Sequence, residues 1–315
     1  MKLAMTARVG LLLALGAAII SGFAVFINST AVKTAPSPLA FTTAKNIVAA
    51  ILVGAILSAT AARKQIVPVV RGLRRPQWLA LAYVGVVSGG VAFALFFQGL
   101  AGANATEAAF TQKSLIIWVV LLSMPFLHEK INTRQGVAIG LLIIGQILLA
   151  AGVTGKPGTL GALGLVLVAT LIWSVEIIIV RRWLRPIPAS LLASVRLGVG
   201  SVVLLVWLGA LGGIGQLASM GSAWAWALLT GVILTGYVLT WFGGLRRAAA
   251  VDVTAILVLG AFITALLSLP AATVITVAQV VGMLLILGGT VVLLWRRLAA
   301  KSATSAPDLA AGTPS

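Results

Sequence analysis

The sequence alternates long apolar runs with short polar turns over almost its whole length. Each run has about 18 or more residues with few charges, which is the length that an α-helix needs to cross the hydrocarbon core of a bilayer. Ten runs are present, at residues 9–27, 39–60, 78–100, 105–123, 135–152, 160–180, 189–211, 222–244, 251–269 and 276–295. The pattern predicts an all-α integral membrane protein of about ten transmembrane helices.

The composition agrees with a membrane protein and disfavours an enzyme. Charged residues make up 9% of the chain, against about 25% in soluble domains. Cysteine is absent and His128 is the only histidine. Thiolate metal sites and catalytic triads that need a histidine base are therefore disfavoured, and we expect no catalytic residue, metal or cofactor.

The basic residues indicate how the chain is oriented in the membrane. Seventeen of the 22 Lys and Arg residues fall in alternate loops and termini, only Lys33 and Lys156 fall in the other loops, and three lie inside apolar runs. The positive-inside rule then places both termini in the cytoplasm, in a plasma or inner membrane. Because these charges form no continuous polar face, nucleic acid is not an expected partner despite the net charge of +17.

The two halves of the chain carry related residues at a constant spacing. A shift of 144 or 145 positions superposes Gly99, Leu100, Glu107, Gln135 and Gly145 on Gly244, Leu245, Asp252, Gln279 and Gly289. Similarly, Pro38 precedes Lys45 as Pro188 precedes Arg196. We therefore predict one repeat at residues 1–153 and a second at 154–297.

Five helices per repeat is an odd number, so the second repeat must enter the membrane with the opposite topology. Inverted repeats of this kind are typical of alternating-access transporters, which bind substrate near the midplane at the repeat interface. The remaining residues, 298–315, are rich in Ala, Ser, Thr and Pro, and we expect them to form a disordered cytoplasmic tail.

Motifs in both halves carry a family resemblance. They are Ser37-Pro38 with Lys45, Phe97-Gln98-Gly99-Leu100, Ala105-Thr106-Glu107-Ala108, residues 126–132, Trp173, Arg181-Arg182, Thr230-Gly231-Val232, Gly236-Tyr237, Gln279, Gly282 and Gly289. By these residues the chain resembles the EamA-like branch of the drug/metabolite transporter superfamily, which implies a ten-helix transporter. The sequence departs from the family at Ile116 and Gly260, where a proline is frequent, and at Thr273, which stands where the first repeat has Glu129.

Four charged residues lie at least one helical turn inside the apolar runs, where a charge costs about 2.5–3.5 kcal/mol on insertion scales. Lys45 and Lys113 fall in the predicted outer half, and Glu176 and Arg196 in the inner half. Our hypothesis is that the two lysines face a central cavity and bind an anionic group of the substrate. Glu176 then pairs with Arg196, either as an inner gate or proton-coupling site or as a static ion pair. A lysine that extends to the outer surface is the alternative for Lys45.

Three uncharged residues complete the predicted substrate site. Asn46 follows Lys45, Trp173 lies one helical turn before Glu176 on the same face, and Tyr237 lies in the middle of the eighth run. Packing or lipid contact is the alternative for Trp173 and Tyr237. We interpret Glu107 and Asp252, each near the start of a helix, as structural, and Glu129 as a residue that fixes its loop.

The predicted function is secondary transport: export or exchange of small polar metabolites with an anionic group, such as amino acids or organic acids. No G-x-x-x-x-G-K-[ST] loop is present, which disfavours direct use of ATP. The expected partners are the substrate, the lipid bilayer and a coupling proton, without an obligate protein partner. The alternative is a multidrug exporter of lipophilic cations, proton-coupled through Glu176.

Overall fold

The computed structural model describes residues 2–60, 62–152, 158–271 and 275–299, which form helices and turns and no strand. Ten helices in these ranges are long and apolar enough to cross a membrane. They are α1 Thr6–Thr34, α2 Pro38–Ala59, α3 Arg75–Ala101, α4 Ala105–Leu127, α5 Thr133–Ala151, α6 Leu160–Leu184, α7 Ala189–Ala210, α8 Ala223–Arg247, α9 Ala250–Ser268 and α10 Val277–Leu294. The predicted all-α, ten-helix fold is confirmed. Helical structure continues to Ala299, and the rest of the predicted tail lies outside the described residues.

The outer surface of the bundle is apolar. Large side chains such as Ile51, Leu121 and Val206 are exposed on α2, α4 and α7. In water a surface of this kind would drive association, whereas in a bilayer it is the face that contacts lipid. Backbone polar groups are bonded inside each helix, which is the requirement for crossing the hydrocarbon core.

Polar residues at the helix starts satisfy N–H groups that have no partner within the first turn. Ser37 caps α2, and the side chain of Asn104 accepts a hydrogen bond from the N–H of Glu107 at 2.8 Å. Asn132 and Gln135 form a reciprocal pair of such bonds at the start of α5. These caps let long apolar helices begin sharply after short turns.

A further helix, Ala62–Arg71, lies between α2 and α3, where the sequence predicts a loop. Its Ile66, Val69 and Val70 pack against the core, while Arg71 is exposed. A short helix that packs apolar side chains against the bundle and exposes a basic one fits a position at the membrane interface.

Helices α4 and α9 are each interrupted at equivalent positions, Ser114 and Val258. The N–H of Ile117 donates to Ser114 O at 2.9 Å, and that of Ala261 donates to Val258 O at 2.9 Å. Such three-residue hydrogen bonds tighten one turn of a helix. The breaks lie two residues before the positions where the family frequently has a proline, so this chain forms the break without that residue.

The contact between α5 and α10 follows the twofold relation between the repeats. A Cβ added to Gly145 would lie 2.8 Å from Gly282 O, and one added to Gly289 would lie 2.9 Å from Ala138 O. Exchanging the two repeats converts the first contact into the second. Glycine at these positions lets the two backbones approach closely, as is common between transmembrane helices.

A second pair of contacts shows how the remaining helices of the repeats correspond. A Cβ on Gly99 of α3 would lie 2.5 Å from Ala162 O of α6, and a Cβ on Gly244 of α8 would lie 3.1 Å from Gly10 O of α1. Gly99 and Gly244 are equivalent in the repeats, so Gly10 in α1 is equivalent to Ala162 in α6. This correspondence makes Ala24 the equivalent of Glu176.

Close contact between α3 and α7 positions Arg196. A Cβ on Gly89 would overlap Arg196 O, and a Cβ on Gly200 would overlap Gly89 O. The segment of α3 that makes this contact, Tyr83–Val91, is a π-helix, a widened form that frequently occurs at functional sites.

We expect Gly200→Ala to destabilise the protein because its methyl group meets backbone atoms of α3 that cannot move aside, at a cost of about 1–3 kcal/mol. Gly198→Ala is the matched control on the same helix, since nothing lies within 4 Å of its added Cβ. Thermal unfolding in detergent, followed by intrinsic tryptophan fluorescence, measures both. Equal midpoints for the two variants would contradict the close approach of α3 and α7.

Candidate functional site

The two repeats enclose a cavity of about 710 Å³, the space toward its open side included. Residues from α1 to α4 and from α6 to α9 line it, and no described residue of α5 or α10 does. The cavity therefore lies between the two repeats, while the α5–α10 pair lies to one side of it.

The lining is polar at both ends. Asn28 and Lys45 lie within about two turns of the bundle end where α1 ends and α2 begins. Glu176, Arg196 and Trp241 lie about two turns from the opposite end and form the floor of the cavity. A ligand of metabolite size would thus lie near the middle of the membrane.

Lys45 presents a cation to the cavity without an acidic partner. Its side chain is 2% exposed, and its Nζ lies 3.6 Å from the centre of the Phe97 ring and 5.6 Å from that of Phe93. No carboxylate among the described residues forms an ion pair with it. A ring face attracts a cation by about 2 kcal/mol when water is excluded, which compensates the burial of the charge only in part.

Arg196 and Glu176 form an ion pair inside the bundle. The Nη1–Oε2 distance is 3.1 Å, and the two side chains are 3% and 1% exposed. The guanidinium also lies 5.2 Å from the Phe93 ring, 5.7 Å from Trp173 and 5.7 Å from Phe242. Phe242 is the equivalent of Phe97, so the cations of both repeats lie over equivalent rings. Of these two cations, Arg196 alone has a carboxylate partner among the described residues.

Aromatic side chains form one wall of the cavity. Trp173 contacts Phe93 and Phe96, with ring centres 5.5 and 5.4 Å apart, and its Nε1 donates to Ser88 O at 3.2 Å. Tyr237 stacks on Trp241, which also lines the cavity. These contacts fix the ring positions, so the shape of the apolar wall is largely preformed.

The structure brings five of the seven predicted site residues together at the cavity and places the other two behind it. The five are Lys45, Trp173, Glu176, Arg196 and Tyr237.

Lys113 and Asn46 are not among the lining residues. Lys113 is buried, and its Nζ donates to Ser21 Oγ at 2.7 Å and to Gln112 Oε1 at 2.8 Å; both acceptors do line the cavity. Asn46 is fully buried on α2, and neither atom of its amide bonds to a described residue.

Three further residues add polar groups to the lining and were not predicted from the sequence: Ser21, Asn28 and Gln112. Ser21 and Asn28 are seven residues apart and so share one face of α1. Polar residues at this spacing within an apolar run were a usable signal, whereas the hydrogen bonds that orient them could not be read from the sequence.

Glu129 joins three helices at the end of the bundle below the cavity floor. Its carboxylate accepts hydrogen bonds from the N–H groups of Ala250 at 3.0 Å and Val251 at 3.3 Å and pairs with Arg181 at 3.4 Å. His128 before it has a left-handed backbone, with φ of 54°, which turns the chain toward α9. Glu129 thus ties the end of α4 to the start of α9 and the end of α6.

The two carboxylates at equivalent helix starts, Glu107 and Asp252, also lie away from the cavity lining. Glu107 Oε2 accepts from the N–H of Gly158 at 2.8 Å, and Asp252 Oδ1 accepts from Gln135 Nε2 at 2.7 Å. Each carboxylate therefore connects neighbouring segments of the bundle.

The chain is similar to known proteins in both sequence and fold. The sequence model described as the EamA-like transporter family matches residues 8–151 and 160–295. No match was found among curated proteins. One crystal structure of a protein with 20% sequence identity superposes with a TM-score of 0.63, covering 88% of this chain and 97% of that chain; at this identity the likeness shows the fold alone.

We expect Glu176→Gln to destabilise the protein by about 3–5 kcal/mol, because it leaves the buried Arg196 guanidinium without its carboxylate. The double variant Glu176→Gln with Arg196→Met removes both charges and should recover most of the loss. Thermal midpoints in detergent compare the three proteins. A single variant as stable as the wild type, or a double variant less stable than the single one, would contradict the ion pair.

Proposed function

The chain belongs to the EamA-like transporter family, and we propose that it is a secondary transporter that exports or exchanges small polar metabolites carrying an anionic group. The family consists of membrane transporters, and the ten-helix fold agrees with it. The substrate class follows from the charges that face the cavity.

Lys45 is the observation that carries this proposal. In the part of the chain that the structure describes, its ammonium has ring faces and no carboxylate as partners. An intramembrane cation is costly unless an anion neutralises it. Arg196, its equivalent in the second repeat, pairs with Glu176. Ala24, which also lines the cavity, stands where a carboxylate would pair with Lys45, so an anionic group of the substrate takes that place.

The same geometry disfavours the multidrug alternative. Lipophilic cations bind in transporters against aromatic faces and an uncompensated acid. In this cavity Lys45 and Arg196 already lie over the aromatic rings, and the Glu176 carboxylate is paired. A cationic substrate would be repelled by the Lys45 and Arg196 side chains.

Alternating access supplies the transport mechanism. The cavity separates two repeats of opposite topology, and the Glu129–Arg181 pair closes the bundle beyond its floor. Protonation of Glu176 would release Arg196 to take over the anion from Lys45, which couples transport to a proton. Transport in liposomes that is indifferent to an imposed pH gradient would contradict this coupling.

We expect Lys45→Met to lower the counterflow of labelled organic anions into proteoliposomes at least about tenfold, because a charge-assisted hydrogen bond contributes about 1.5–3 kcal/mol. Methionine retains the stem that packs on Phe97 and removes only the charge. Lys33→Met is the matched control, since Lys33 is an exposed lysine at the end of α1, and it should transport like the wild type.

Ala24→Glu should cause the same loss as Lys45→Met, because it supplies a carboxylate from the chain itself. Wild-type counterflow in Lys45→Met would contradict the anion site. Uptake of tetraphenylphosphonium that Glu176→Gln abolishes and Lys45→Met leaves unchanged would instead establish the multidrug alternative.

The distribution of basic residues supports a plasma or inner membrane location with both termini in the cytoplasm. Because the chain has no cysteine, single cysteines test this orientation directly. Ser222→Cys, before α8, should react with a membrane-impermeant maleimide on intact cells, and Thr133→Cys, at the start of α5, only after permeabilisation. Both positions are exposed, and the reverse labelling pattern would contradict the orientation.

A further inference from the structure

Asn28 of α1 presents an oriented amide to the cavity. The side chain is 4% exposed and lines the cavity. Its Nδ2 donates to Ala24 O, one helical turn earlier, at 2.7 Å. A flipped amide would set two oxygens against each other, so this hydrogen bond fixes which end of the amide is directed away from the helix backbone.

The other end of the Asn28 amide, the oxygen Oδ1, is a hydrogen-bond acceptor. Asn28 Oδ1 is buried and has no hydrogen-bond partner among the described residues. A buried carbonyl oxygen without a partner costs about 1–3 kcal/mol, and such a group at a binding cavity is complementary to a donor on a ligand. An N–H or O–H group of the substrate meets that requirement.

Ser21, Asn28 and Gln112 are the polar residues that α1 and α4 contribute to the cavity lining. Gln112 Oε1 and Ser21 Oγ both accept hydrogen bonds from Lys113. Their oxygens are thus already engaged by a cation of the chain, while the amide hydrogens of Gln112 and the hydroxyl hydrogen of Ser21 are donors. Asn28 Oδ1 therefore differs from both neighbouring oxygens, because no donor among the described residues bonds to it.

We propose that Asn28 is a specificity-determining residue that selects anions bearing an N–H or O–H donor, such as hydroxy-substituted acids, over the same acids without that group. The inference rests on the proposed function, because Lys45 binds the anionic group of the substrate while Asn28 Oδ1 accepts a hydrogen bond from its donor group. A site that is built to accept a hydrogen bond rejects an analogue without the donor because its own buried oxygen then stays unpaired.

The test compares 3-phenyllactate with 3-phenylpropionate, which differ by one hydroxyl group. Binding to the purified full-length protein is titrated by tryptophan fluorescence, since Trp173 and Trp241 line the cavity. This readout avoids the leakage of weak acids across liposomes. We expect the wild type to bind phenyllactate at least about tenfold more tightly than phenylpropionate.

Two variants of Asn28, to threonine and to valine, have side chains of the same shape as each other and differ in whether an acceptor oxygen is present. In Asn28→Thr the hydroxyl can donate to Ala24 O, as Ser and Thr do within helices, and its oxygen remains an acceptor. Asn28→Val has the same shape without the oxygen. We expect the threonine variant to keep the preference for phenyllactate and the valine variant to bind both acids within about twofold of each other.

Equal binding of both acids to the wild type, or an undiminished preference in Asn28→Val, overturns the role of Asn28. If Lys45→Met still abolishes binding of both acids in that case, the anion site stands and only the donor selection fails. If the wild type binds neither acid, both the anion site and the role of Asn28 are rejected.

Discussion

A positive charge inside an apolar bundle has to be compensated where it lies, and this constraint organises the centre of the molecule. The chain meets it in three ways. Arg196 pairs with a carboxylate, Lys113 donates to two neutral oxygens, and Lys45 has aromatic faces alone. Rings attract a cation less strongly than a carboxylate does in a medium without water. Lys45, the cation with the weakest internal compensation, also lines the cavity, and this combination is the basis of the proposed anion site.

The close helix contacts make this arrangement rigid. Glycines bring α3 against α7 and α5 against α10, and the α3–α7 contact places the backbone of Arg196 against Gly89. The hydrophobic effect does not drive transmembrane helices together in lipid, so close van der Waals packing of their backbones contributes to their association. The same α3 and α7 contribute Phe93 and Arg196 to the cavity lining, so their close contact also fixes the positions of these lining residues.

The fold was predictable from the sequence to a greater extent than the site. Apolar runs and the recurrence of Gly99 as Gly244 were sufficient for ten helices in two repeats. Hydropathy could not reveal the interruption of α4 at Ser114, because no proline marks it. The sequence predicted Lys113 to lie inside a membrane span, and the structure places it within α4. Hydropathy says nothing of the direction in which its side chain points. The structure directs Lys113 toward Ser21 and Gln112. Asn28 was visible only as a polar residue in an apolar run.

The two repeats agree in packing and differ in charge, and this difference supports the proposed anion site. Phe97 and Phe242 lie under equivalent cations, so the scaffold of the two half-sites is the same. The carboxylate is present in one half-site, at Glu176, and replaced in the other by Ala24. If both cations had an internal carboxylate, an anion would have to displace one of them before it could bind. If neither had one, two uncompensated charges would burden the bundle in the absence of substrate. One filled and one open half-site leave a single cavity-lining cation, Lys45, without a carboxylate partner among the described residues. The proposed anion site assigns the substrate to that open half-site.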